Sequence, residues 1–306
     1  MNKPLFLFAC FPLLFSSCSN GPGDIDNKQE DVSHINICVL GNSYSADAFC
    51  YVPFILKEYG ITSSIHLYFR PNGSLENLDM EWEIGASNAK HYYIDTRIDT
   101  KWRSTAAMKV GDVLSIEKWD YITLQQLSLQ VHNEDSYSPY LANVLGRIDD
   151  ECNYSKSIAW FMSYNRANDS NVEDNLSVQH KIIDNYSFGM VLPVATAIFN
   201  CQANEELAKI GDYQYGKFYS KDGIHLQEGL PCYTAALAIV EAILRDNVTT
   251  KTVLGDIIRP DQGWINSIGG IDLHGQSVGI TESNCLLAQK AAINANDYRF
   301  EVVPVK

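Results

Sequence analysis

No C-x-x-C pair occurs in the 306 residues, and no His/Cys spacing of the kind that closes around zinc, so redox-dithiol and zinc chemistry have no motif to rest on. Basic residues are scarce. There are 23 Lys and Arg against 37 Asp and Glu, a net charge of −14 that repels phosphate backbones, so nucleic acid is not an expected partner. The N-terminal apolar run, Leu5 to Phe15, falls short of the roughly 20 residues that span a bilayer as a helix. The sequence shows no internal repeat and no clear interdomain linker, which favours one domain over two. With 46% apolar and 20% charged residues, disordered, collagen-like and small disulfide-stapled proteins are excluded as well.

What the N-terminus does contain reads as an export signal. Lys3, the run Leu5 to Phe15, and Ser16-Ser17 before Cys18 read as an n-region, an h-region and small residues at a cleavage site, so residues 1–17 are expected to be removed. Small residues directly before a cysteine resemble the lipobox of bacterial lipoproteins, which implies that Cys18 is lipidated. The expected location is outside the cytoplasm, anchored to a bacterial membrane, with the lipid as the sole membrane contact. From Asn20 to Ser33 large apolar residues nearly vanish, so residues 18–33 read as a solvated tether and residues 34–306 as the folded domain. The cysteines of that domain, at 38, 50, 152, 201, 232 and 285, read as small buried residues, although an oxidising compartment permits a disulfide.

Short apolar runs alternate with helical patterns along the domain. His34 to Leu40, Ser64 to Phe69, Tyr121 to Leu124, Ser157 to Met162 and Met190 to Leu192 read as strands. Helices are expected over Ala48 to Tyr59, Pro139 to Glu151, Leu176 to Asn185, Val194 to Ala203 and Cys232 to Leu244, with an inserted hairpin over Tyr92 to Ala107. The segment Thr249 to Gly279 is loop-rich. The fold class is therefore α/β, a parallel sheet covered by helices on both faces.

In such sheets ligands bind beyond the carboxyl ends of strands, so the residues just after each strand carry most weight. Gly41-Asn42-Ser43-Tyr44-Ser45 follows the first strand, where a serine is either a nucleophile presented on a tight turn or a helix cap. Asp222-Gly-Ile-His225 sets a carboxylate three residues before an imidazole, a base with its orienting acid in one turn, or a surface histidine near a capping aspartate. The other six histidines, at 34, 66, 91, 132, 180 and 274, have no acidic partner at comparable turn spacing and read as structural or solvated. Asn72-Gly73-Ser74 and Gln125-Gln126 follow two further strands and offer amide donors for a developing oxyanion, although Asn-Gly is first of all a turn former.

Taken in order, the G-N-S block, the glycine, the glutamines and the D-x-x-H resemble the SGNH (GDSL-type) hydrolase superfamily over roughly Ile35 to Leu244. Trp119 to Gln126 and Leu192 to Ala197 look similar to an SGNH-like branch of secreted bacterial proteins. The resemblance implies a three-layer, flavodoxin-like sheet of order 2-1-3-4-5. It also implies Ser43 as nucleophile, His225 as general base and Asp222 as its orienter, with the N–H groups of Ser43 and Gly73 in an oxyanion hole. Two departures from the family pattern stand out. Asn42 replaces the usual Asp, and no G-x-N-D block exists, so its asparagine would be replaced by Gln125 or, as the alternate, Gln126.

The implied activity is carboxylic ester hydrolysis without metal or cofactor, and removal of small acyl groups from an oligo- or polysaccharide is the leading expectation for an exported acidic protein. Tyr44, Trp82, Trp102, Tyr164 and Trp264 are candidate sugar-stacking platforms, against the commoner fate of aromatics in a core. Alternatives are a lipase or lysophospholipase on the same three residues, and a glycan-binding lipoprotein that kept the fold without turnover.

Overall fold

The computed structural model describes residues 33–106, 108–211, 216–247, 271 and 273–306. The expected export signal, Cys18, most of the expected tether, Trp264 and most of the loop-rich segment lie outside the described residues. The folded unit, Val32–Lys306, is built on a seven-stranded sheet in the order β4-β3-β2-β1-β5-β6-β7. Its strands are β1 (His34–Gly41), β2 (Thr62–Phe69), β3 (Lys90–Asp95), β4 (Arg103–Ala106), β5 (Tyr121–Gln125), β6 (Ser157–Phe161) and β7 (Met190–Leu192). β1, β2, β5, β6 and β7 are mutually parallel, while β3 and β4 form an antiparallel hairpin that extends the β2 edge. The architecture is thus α/β with a mostly parallel central sheet. β1 lies centrally because its residues are apolar on both faces; Ile37, Cys38, Val39 and Leu40 are all buried, as a strand covered by helices on each side requires.

The helices are α1 (Ser43–Phe49), α2 (Val52–Glu58), α3 (Leu75–Met80), α4 (Val110–Leu114), α5 (Tyr140–Glu151), α6 (Val172–Asn185), α7 (Val194–Gln202), α8 (Leu230–Asn247) and α9 (Glu282–Asp297). Where one helix is expected after β1, two occur. Pro53 stands in the first turn of α2, a place that tolerates proline, and without an N–H it cannot continue the ladder from α1. α8 is nearly all apolar and is buried from Leu230 to Leu244, which makes it the central helix of its layer. Short α3 is fixed by a reciprocal cap in which Ser74 and Asn77 satisfy each other's backbone N–H. Within the loop-rich segment, β9 (His274–Val278) pairs in parallel with β8 (Gln227–Gly229) as a separate two-stranded sheet. The six described cysteines are free and buried.

Four of the proposed sugar platforms are core residues. Tyr44 stacks on Tyr164 at 4.0 Å between ring centroids. The Trp82 indole N–H donates to Glu151 and that of Trp102 to the Cys50 carbonyl. All four are at most 3% exposed, because each ring covers apolar surface that no helix alone could seal. Among the described residues no helix is long and apolar enough to cross a membrane.

Candidate active site

The chain leaves β1 at Gly41 and enters α1 at Ser43, with Asn42 between them as the N-cap accepting the Tyr44 N–H at 2.9 Å. Neither Ser43 nor Ser45 caps the helix. Ser43 occupies the first helical position, whose N–H has no intrahelical acceptor. Glycine is required at 41 by space: a Cβ there would lie 2.2 Å from the Ser45 hydroxyl and 2.9 Å from the Gln125 carboxamide oxygen.

The second part of the site is a tight turn closed by a short antiparallel bridge between Tyr219 and Leu226. Gly223 takes a φ of +66°, a left-handed conformation that favours glycine. The turn folds around its own carboxylate. Asp222 Oδ1 accepts from the Ser220 hydroxyl at 2.8 Å and from the N–H groups of Ile224 and His225 at 2.8 and 3.0 Å. Its other oxygen meets His225 Nδ1 at 2.6 Å. Burial pushes this carboxyl up, but those four hydrogen bonds outweigh it and hold Asp222 well below the usual carboxylate range.

His225 Nε2 lies 2.7 Å from Ser43 Oγ. Three residues drawn from two places 182 positions apart thus form one hydrogen-bonded chain, carboxylate to imidazole to hydroxyl. With Nδ1 donating to Asp222, the ring leaves Nε2 as an acceptor for the serine proton, the arrangement that turns a hydroxyl into a nucleophile.

The amide donors behave differently from expectation. The Gly73 N–H donates to the Arg70 carbonyl at 2.9 Å in a turn where Asn72 has a φ of +52°, so it is engaged rather than free for an oxyanion; the Gly73 carbonyl instead accepts the Asn42 side-chain amide. Gln126 is also fully committed. Its carbonyl oxygen accepts from Leu75 and Leu127, and its NH2 donates to the backbone and hydroxyl of Ser136, so it ties loops together with no donor left over. Gln125 accepts from the Ser45 hydroxyl, while its buried NH2 has no protein partner among the described residues. Gln125 lines a cavity of about 10 Å³ with Gly41, Arg70, Gly73 and Ser74, room for about one water-sized group.

Two residues of this neighbourhood were not singled out in the sequence. Asp47, one helical turn after Ser43 and fully buried, accepts from the Leu226 N–H and the Tyr164 hydroxyl, each at 3.0 Å. His274, read as structural or solvated, stacks on His225 with centroids 3.6 Å apart and planes within 6°. A charged residue amid the apolar Ala46, Ala48 and Phe49 is a signal for Asp47. His274, in the loop-rich segment, had none.

Asp222, His225 and His274 carry ligand-type atoms within 4.8 Å of one another. Their arrangement does not suit an ion. A metal lies in the plane of each imidazole it binds, and the two parallel, stacked planes cannot both contain it, while Asp222 and the His225 Nδ1 already satisfy each other.

A family profile described as a domain of unknown function, DUF4886, matches residues 36–263. The chain belongs to that family. A solved family member, a DUF4886 protein from Bacteroides uniformis ATCC 8492, superposes with a TM-score of 0.71 at 23% identity, covering 89% of this chain and all of its own; the likeness is one of fold. A chain called a "putative SGNH hydrolase" from Slackia heliotrinireducens gives a TM-score of 0.44 at 15% identity over 69% of this chain and 99% of its own. No curated protein matches.

Proposed function

We propose that this protein is a serine esterase of SGNH type that removes small acyl groups from carbohydrate. The observation that carries the reading is the 2.7 Å contact between Ser43 Oγ and His225 Nε2, with Asp222 on the far side of the ring. In this mechanism His225 takes the serine proton as Oγ attacks the ester carbonyl, and Asp222 stabilises the imidazolium that forms. The proton then passes to the departing sugar hydroxyl, leaving an acetyl-serine that water hydrolyses by the same base. The Ser43 N–H and the Gln125 NH2 are the donors assigned to the oxyanion.

The Ala167 N–H donates to the Gly223 carbonyl at 2.8 Å, joining the catalytic turn to a cleft of about 160 Å³ lined by Arg166, Asn168, Asp169, Gln202 and Tyr219 among others. Val172 and Phe199 line the same cleft, and neither Ser43 nor His225 does, so the deacetylase reading is placed above the lipase on the expected export of an acidic protein rather than on this cleft. A non-catalytic glycan binder is the second reading, favoured by the engaged Gly73 N–H.

Fluorophosphonate labelling separates the classes: the wild type is labelled and Ser43→Ala is not, whereas polysaccharide binding without labelling turns the reading to the binder. Acetate release from acetylated polysaccharide, lost in His225→Ala, then identifies the activity, and a preference for long-chain nitrophenyl esters over acetyl would reject it. Export with lipidation at Cys18 belongs to the same proposal and is tested by palmitate incorporation that Cys18→Ala abolishes.

A further inference from the structure

The catalytic imidazole has two neighbours that the mechanism above leaves without a role. His274 lies plane to plane with His225, and its Nδ1 is 3.5 Å from Oδ1 of Asp47. Asp47 is fully buried and touches the site on three sides. It sits one helical turn from Ser43 on α1, it accepts the N–H of Leu226 beside the base, and it accepts the hydroxyl of Tyr164. Both printed donors, the Leu226 N–H and the Tyr164 hydroxyl, meet Oδ2, so among the described residues Oδ1 has no hydrogen bond and only His274 Nδ1 near it.

The strand that carries His274 is held against the turn by close backbone approach. β9 pairs with β8, which begins two residues after His225, and Gln227 stands opposite His274. At Gly229, with a φ of +95°, a Cβ would lie 2.0 Å from the Val278 carbonyl oxygen, so only glycine admits this pairing. Gly275, with a φ of +79°, lies where a Cβ would press on Gln227. Both glycines serve to seat a histidine on a histidine.

We propose that His274 and Asp47 form a second histidine–aspartate couple behind the base, in which His274 is a positioning residue that fixes the plane of His225 and brings the Asp47 charge to bear on it. This rests on the reading of His225 as general base. His274 Nδ1 stands 3.5 Å from Asp47 Oδ1, a close electrostatic contact rather than a hydrogen bond, whereas His225 Nδ1 meets Asp222 at 2.6 Å. Among the described residues, Asp222 on the turn and Tyr44 on α1 face His225, and Asp47 on α1 faces His274; Tyr164 after β6 and Cys232 on α8, the latter with Glu228 on β8 near it, lie by Asp47, and Arg166 lies by Tyr44. Asp222 contacts His225 and Asp47 contacts His274, and a carboxylate near the stack favours the imidazolium formed during turnover.

The test is the imidazole ¹⁵N titration of the full chain by NMR, with the His225 resonance assigned by its absence from His225→Gln. In His274→Phe, which retains a stacking ring but no N–H towards Asp47, the His225 midpoint moves to lower pH by about one unit. Asp47→Asn moves it in the same direction, and the double variant moves it no further than the larger single change, because the two act as one couple. In an ester assay the acid limb of kcat/KM moves by the same amount, with kcat lowered about 10-fold and KM unchanged. A His225 midpoint that stays put or rises in His274→Phe overturns the proposal, as does full additivity of the two changes. His274 side chains are about one-third exposed on a strand outside the main sheet, so His274→Phe folds even where Asp47→Asn does not. The titration needs no turnover: a shifted midpoint in a chain that cleaves no ester refutes the esterase reading and leaves the couple standing, and the reverse result does the opposite.

Discussion

The Asn42 side chain donates to the Gly73 carbonyl at 2.9 Å, joining the turn before the nucleophile to the turn after β2. Its oxygen at the same time caps α1 through the Tyr44 N–H. Aspartate, the residue the superfamily pattern has here, keeps the cap but loses the donor and sets an anion against a carbonyl in a site that is 1% exposed. Asn42→Asp is therefore expected to lower stability by about 1–3 kcal/mol, read from the urea midpoint at pH 7, and to slow turnover by shifting Ser43.

The adjacent glutamines should respond in opposite ways. Gln126→Ala removes four hydrogen bonds between buried loops, so a clear fall in melting temperature is expected, with about 2–4 kcal/mol lost. Gln125→Ala removes an NH2 that bonds no protein group among the described residues and a single acceptor, that of the Ser45 hydroxyl, so stability falls by only about 1 kcal/mol while kcat falls about 10²- to 10³-fold. Paired thermal melts and single-turnover rates check both, and an unchanged rate in Gln125→Ala assigns the oxyanion to other donors.

Asp222 stays ionised to well below the usual carboxylate range because its turn supplies four donors. The acid limb of log kcat/KM is accordingly expected to fall with unit slope, reporting one proton taken up by the base; a slope of two would reveal Asp222 titrating with it. Asp222→Asn, which cannot hold the imidazolium, is expected to lose about 10³- to 10⁴-fold in kcat with the fold retained.

Away from the site, His66 Nδ1 and His91 Nε2 meet at 3.0 Å between β2 and β3. Burial pushes both down to about 4, with Asp95 partly offsetting this for His66 and the His66 ring adding to it for His91. The unfolded chain binds protons at these rings below about pH 6.5 while the folded protein does not, so stability falls as the solution is acidified from there towards pH 4. The loss by pH 5 is at most about 2 kcal/mol per ring. Urea midpoints from pH 7 to 5 measure it, and the double change His66→Gln with His91→Gln should flatten the slope.

Much of the chemistry was legible because it is local. Asp222 and His225 share one turn whose shape follows from Asx hydrogen bonding and Gly223, and Ser43 follows a strand that only a double-sided apolar run can form. The aromatics misled for a general reason. Tyr44 and Tyr164 sit beside polar residues in the sequence, yet only packing decides whether a ring near a strand end faces water or a second ring.

By itself the sequence determined the α/β alternation, the acidic surface and the residue types at the strand ends, since each depends on neighbours a few positions apart. Tertiary structure alone decided that the Ser43 hydroxyl lies within a hydrogen bond of His225, that the Gly73 N–H turns to Arg70, and that His274 stacks on the base over a buried Asp47. Those are contacts between segments far apart along the chain, and they follow from how the strands and turns pack, which no local pattern of residues records.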